Sequence, residues 1–198
     1  PAQHLIRWCL KGRASERPSV AQILAHPLLQ EGDPSSLPLP VALPMRYTFF
    51  ISHAQGDAAS TAKSVYSVCK TLGVECWYDM EQAQLTLEGM RQGVRDSDVF
   101  LLILSKSVLT RWFCQQELLT AIDEGTPIQL LVESDPRFLP FDEEKWRDFT
   151  ADSPEEQAAI VAAVEAALPN AVQLRRRDYE ASAMMRELLL RNGIALPS

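Results

Sequence analysis

Tyr47-Thr48-Phe49-Phe50-Ile51-Ser52-His53-Ala54-Gln55-Gly56-Asp57 is the stretch whose reading decides the fold. Its first half is aromatic and β-branched, which suits a strand. It lacks a clean apolar/polar alternation, so both faces are expected to be covered, as in a central strand of a parallel sheet. It then breaks off into small and polar residues from Ser52 to Asp57. In an open α/β sheet, ligands bind outside the carboxyl ends of the strands, so this polar end is the first place to seek function.

Downstream, strand and helix patterns alternate. Ala58 to Leu72 reads as a helix with Ala62, Val65, Tyr66 and Cys69 on one face, stopped by Gly73. Val74 to Tyr78 reads as a second strand ending at Asp79, and Met80 to Glu88 as a long loop of functional type. A short helix holds Met90 and Val94, and Ser97-Asp98 turns the chain into the most apolar strand, Val99 to Leu104. Trp112 to Glu124 is a helix closed by Gly125, and Pro127 to Val132 is a strand ending at Glu133. Asp135 to Asp152 is irregular and acidic. Pro154 to Leu168 is a helix capped by Ser153, Ala171 to Leu174 the last strand, and Tyr179 to Asn192 an amphipathic helix stopped by Gly193. The alternation predicts a parallel sheet with helices on both faces. Five strands specify an α/β, flavodoxin-like, doubly wound five-stranded parallel sheet over residues 46–198.

Composition narrows the function. A net charge of −7 and a pI near 5.0 argue against a nucleic-acid partner. The basic run Arg175-Arg176-Arg177 reads as a solvated strand end. Cys9, Cys69, Cys76 and Cys114 are scattered without a CxxC pair, so they read as reduced cytoplasmic thiols rather than a disulfide framework or a metal site. No apolar run reaches the ~18 residues that span a membrane. There is no signal-peptide pattern and no starting Met, and the chain begins within an element, as a fragment of a longer protein does.

Residues 31–45, with Asp33-Pro34-Ser35-Ser36-Leu37-Pro38-Leu39-Pro40, form a stiff extended linker and mark a domain boundary. Residues 1–30 carry two helical patterns, around Leu5, Ile6, Trp8 and Cys9 and from Val20 to Leu24. Cys9-Leu10, Arg17-Pro18-Ser19, Ile23-Leu24 and His26-Pro27-Leu28-Leu29 resemble the last helices of a protein kinase C-lobe. That resemblance implies a kinase domain upstream, with Arg17 tied to its activation segment. No Gly-rich loop, catalytic Asp or metal-binding Asp follows, so this chain performs no phosphoryl transfer.

Strand ends discriminate among five-stranded sheets. A phosphoacceptor receiver needs an acidic pair after the first strand, where this chain has Ser52-His53. A flavin site needs a richer phosphate loop than Gly56 alone, and GxGxxG is absent. Phe50-Ile51-Ser52-His53, Trp77-Tyr78-Asp79, Gly89, Leu104-Ser105 and Arg111-Trp112-Phe113-Cys114-Gln115-Gln116-Glu117-Leu118 resemble, in order, the motifs of the Toll/interleukin receptor (TIR) domain over residues 46–135. Thr48 stands where the family has an acidic residue, and Phe113 at the family's Trp position with Trp112 one earlier.

The resemblance implies a cytoplasmic signalling domain that associates with itself or with other TIR domains. Some members hydrolyse NAD+ to nicotinamide and ADP-ribose or its cyclic forms, with NAD+ as substrate and no separate cofactor or metal. The motif match makes Glu117 the catalytic carboxylate. His53, Ala54 and Gln55 then rim the pocket, Asp79 and the loop Met80–Glu88 close over it, and Trp112 or Phe113 stacks on a base. Glu117 near the ribose stabilises positive charge in an oxocarbenium-like transition state. A non-enzymatic adaptor, or a regulatory tail for the kinase, fits the same motifs.

Overall fold

The chain divides into two units, Pro1–Leu43 and Pro44–Ser198. The computed structural model describes residues 47–195 apart from 83–85, together with Pro18, Gln22 and Ile23. In the first unit Gln22 and Ile23 are helical. The rest of the kinase-like segment 1–30, including Arg17, and the linker 31–45 lie outside the described residues.

The second unit is a sheet of β1 (Tyr47–Ser52), β2 (Cys76–Trp77), β3 (Ser97–Leu104), β4 (Ile128–Val132) and β5 (Val172–Gln173). Five strands run in the order β2-β1-β3-β4-β5, and every pairing is parallel. This is the expected flavodoxin-like order, with its switch point at β1/β3. The helices are α1 (Gln55–Thr71), α2 (Leu87–Arg95), α3 (Trp112–Glu124), α4 (Pro154–Ala167) and α5 (Asp178–Arg191).

Strand periodicity sorts the core into two halves. Phe49, Ile51, Val99, Leu101, Ile103 and Leu131 face α1 and α5, meeting Ala62, Val65, Met185 and Leu188. Phe50, Phe100, Leu102, Leu104 and Leu130 face α2, α3 and α4, meeting Val94, Leu118 and Ile160. Phe50 stacks between Trp77 and Phe100, with ring centroids 4.2 and 5.4 Å away. Both faces of β1 are thus dry, which is why its sequence does not alternate.

The edges differ from the sequence expectation. β2 and β5 are two residues each, because each meets one neighbour and pairs at only two positions of it. Ser97-Asp98 is not a turn: Ser97 pairs with Tyr47 and opens β3, while its hydroxyl donates to the Gly93 carbonyl at 2.7 Å. The loop after β2 is shorter than expected. Asp79–Glu81 forms a 3-10 turn, and α2 starts at Leu87 because Thr86 caps it through the Gly89 amide. Asp135 to Asp152 is irregular but not a loose loop. Trp146 and Phe149 are buried in the core, and Gln115 of α3 donates to the Thr150 carbonyl at 2.9 Å.

Candidate functional site

Ser52 is the last residue of β1, and the strand's period puts it on the Phe50 side, toward α3. Its hydroxyl donates to Glu117 Oε2 at 2.6 Å, joining positions 65 apart in sequence. Ser52 is 1% exposed and Glu117 9%. Phe113 and Cys114 stand one helical turn before Glu117 on the same stripe of α3.

A cavity of about 340 Å³ opens at this point, lined by His53, Ala54, Gln55, Gly56, Asp79, Met90, Arg111, Phe113, Cys114 and Glu117. Six residues singled out from the sequence therefore meet in one place: Glu117, His53, Ala54, Gln55, Asp79 and Phe113. Trp112 does not line the cavity; its ring lies edge-on to Phe113 and its Nε1 donates to Asp152 Oδ2 at 2.8 Å. Of the segment Met80–Glu88, residues 83–85 lie outside the described residues. A larger groove of about 510 Å³ runs between α1 and the β5–α5 side, lined by residues such as Lys63, Ser64 and Arg175. The acid, thiol and imidazole groups of the motifs converge on the smaller cavity.

The electrostatics follow from burial. Removal from water pushes the Glu117 carboxyl up to about 8; the Ser52 hydrogen bond opposes that rise and the nearby Asp79 charge adds to it. Burial lowers the His53 imidazole from its ordinary value, against the pull of Asp79, so the ring is neutral at pH 7. His53 Nε2 is buried without a hydrogen-bond partner. Burial likewise raises Cys114, whose thiol donates to the His53 carbonyl at 3.3 Å. Asp79 is held by Gln55 Nε2 at 2.5 Å and by the Met80 amide at 2.8 Å.

The start of α1 forms another wall. Ala54 at its N-cap offers no side chain to the first turn. Asp57, the acid of that turn, instead accepts the Ser107 amide at 2.6 Å and the Ser105 hydroxyl at 3.2 Å. The start of α1 lines the cavity through Ala54, Gln55 and Gly56, beside Arg111, whose Nη2 lies 3.4 Å from where a Cβ on Gly56 would be.

Three groups escaped the sequence reading. Ser52 was legible as a strand end and as part of a motif, but not as the partner of Glu117, which is 65 positions away. Arg111, two positions before Phe113, had no pattern of its own. Glu133, read as a strand end, is buried, and Arg176 is not a solvated strand end. They form an ion pair, with Arg176 also donating to Thr61 at 3.0 Å and lying over the Phe138 ring. Among the described residues, no group of three or more His, Cys, Asp or Glu side chains is placed to hold a metal ion. No described helix is long and apolar enough to cross a membrane.

The family model for the TIR domain matches residues 49–164. No curated protein matches the chain. Among solved structures, the TIR domains of the activated Roq1 resistosome, which directly recognizes the pathogen effector XopQ, are 14% identical with a TM-score of 0.49, over 73% of this chain and 98% of that one. The RPS4 and RRS1 TIR domain heterodimer is 10% identical with a TM-score of 0.49, over 73% and 96%. A metazoan TIR-STING receptor from C. gigas in complex with 2',3'-cGAMP is 18% identical with a TM-score of 0.42, and the match spans 61% of this chain but only 40% of the receptor.

Proposed function

This chain belongs to the TIR domain family, and on that premise we propose that it is a signalling domain whose cavity cleaves the N-glycosidic bond of NAD+ when the domain self-associates. The observation that carries this reading is the buried Glu117 carboxyl, fixed by Ser52 at the wall of a cavity at the β1/β3 switch point.

Cleavage breaks the bond between the ribose anomeric carbon and the pyridinium nitrogen. The bonding pair leaves with neutral nicotinamide, so no strong general acid is needed. Positive charge builds on the ribose ring, and an ionised Glu117 beside it lowers that barrier. Water then adds at the anomeric carbon, giving ADP-ribose and a proton. A cationic nicotinamide ring entering the cavity favours the ionised form of Glu117, offsetting its burial. Arg111 and the start of α1 supply donors for the diphosphate. Phe113, 55% exposed, offers a ring face for a base.

The test is nicotinamide release from NAD+ by the purified domain, at high concentration and under crowding, against Glu117→Ala. Release that depends on Glu117 is expected; none above the Glu117→Ala control would overturn the enzyme reading. An adaptor role is favoured by one observation: Met80, Trp112 and Phe113 are large, apolar and exposed next to cavity residues. Concentration-dependent assembly without turnover would select it. In the same reading the domain works in the cytoplasm behind a kinase domain preceding the linker, a proposal tested by the upstream coding sequence.

A further inference from the structure

We propose that Ser52 is a positioning residue for the Glu117 carboxylate, pinning one oxygen so that the other faces the substrate; this rests on the NAD+ reading above. The geometry is specific. Ser52 Oγ lies 2.6 Å from Glu117 Oε2, a distance suited to a hydroxyl donating to a charged oxygen. Among the described residues no group bonds Oε1, and Glu117 lines the cavity. One oxygen is tethered and the other is left for the ribose.

Ser52 is well built for this. Its backbone is fixed in the sheet, in register with Leu102 of β3, so the hydroxyl has little freedom to drift. It is 1% exposed, and no water competes with it easily. The carboxylate is the form that gains from the donor. A hydrogen bond to the charged form favours ionisation, so Ser52 opposes the effect of burial on Glu117. Nothing else among the described hydrogen bonds holds the Glu117 carboxyl. A swinging carboxylate loses the alignment on which transition-state stabilisation depends.

The experiment compares wild type with Ser52→Ala and Ser52→Thr in two independent readouts. The first is the carboxyl titration of Glu117, followed by carbon-13 NMR on protein without NAD+. The second is the pH profile of nicotinamide release. Ser52→Ala is expected to move the Glu117 titration to higher pH and to lower kcat roughly tenfold or more at pH 7, with KM changed less than about threefold. Part of the lost rate should return at pH 9. Ser52→Thr keeps the hydroxyl and should restore both titration and rate. Ser52→Cys, a weaker donor of similar size, reads the same shift if the alanine variant does not fold. An unchanged Glu117 titration in Ser52→Ala, or a pH profile that does not move, overturns the proposal. Absence of NAD+ turnover in wild type overturns the function instead, and the NMR titration still decides on Ser52.

Discussion

Replacing Glu117 with Gln should stabilise the folded protein at alkaline pH and not at acid pH. Glu117 ordinarily titrates at 4.5, and burial pushes it up to about 8 in the folded state. Between those values the unfolded chain has lost this proton and the folded chain still holds it. The unfolded state then binds fewer protons, so stability falls as pH rises through that window. The gap is about 3.5 pH units, and each unit corresponds to about 1.36 kcal/mol, which gives ~5 kcal/mol as the full cost above pH 8. Glu117 borders the cavity, so partial hydration reduces this, and ~2–5 kcal/mol is the expected range. Gln keeps the shape and an oxygen for the Ser52 hydroxyl but cannot ionise. The assay is urea unfolding of wild type and Glu117→Gln at pH 4.5 and 8.5. Other groups titrate alike in both proteins and cancel in the comparison. The wild type should lose more stability on going to pH 8.5, by the amount above. Identical pH dependence in the two proteins, within ~0.5 kcal/mol, would refute the burial argument.

Three further outcomes follow from the packing. A Cβ on Gly93 would meet Trp77 at 2.4 Å, so Gly93→Ala should destabilise by ~1–3 kcal/mol in urea unfolding, although alanine favours helices; a gain in stability would show that Trp77 yields freely. Phe113→Ala should raise KM for NAD+ severalfold with little change in melting temperature, whereas Trp112→Ala, outside the cavity lining, should leave KM within about twofold; the reverse pattern would move the stacking role to Trp112. Arg176→Met strands the buried Glu133 carboxylate and should cost ~3 kcal/mol or more of stability, read as a drop in urea midpoint; an unchanged midpoint would mean the pair is hydrated.

The sheet was legible because its central strands follow simple rules. β1 and β3 are buried on both faces, so they appear as continuous apolar runs, and helices between them force parallel pairing. The edge strands were less legible, because Val74 or Leu174 looks equally strand-like whether or not a neighbour reaches that far. The acidic segment after Asp135 hid two core residues, since Trp146 and Phe149 follow no period. In the site, Phe113 and Glu117 were singled out by the motif resemblance, and their helical spacing puts them on one stripe of α3. The Ser52–Glu117 bond could not, since it depends on how α3 lies across β1, and Arg176 reaches Glu133 only through the fold. Side chains brought together within one element leave a periodic trace, whereas those joined between elements do not.

That distinction also explains how the site is charged. The chain is acidic overall, and Asp79 shares the cavity with Glu117, whose carboxyl gains its charge only as pH rises toward about 8. Asp57 of the first turn of α1 is tied to Ser105 and Ser107, Gln55 of that turn holds Asp79, and Arg111 approaches Gly56. The cavity thus carries groups of both signs, Asp79 and Arg111, beside the Glu117 carboxyl. In the proposed NAD+ reading, a ligand that joins a cationic ring to a diphosphate through a ribose would find partners of both signs here. The burial that makes Glu117 costly at alkaline pH is the same burial that strengthens its interaction with developing positive charge. A variant that relieves the cost by neutralising Glu117 should therefore gain stability and lose turnover together.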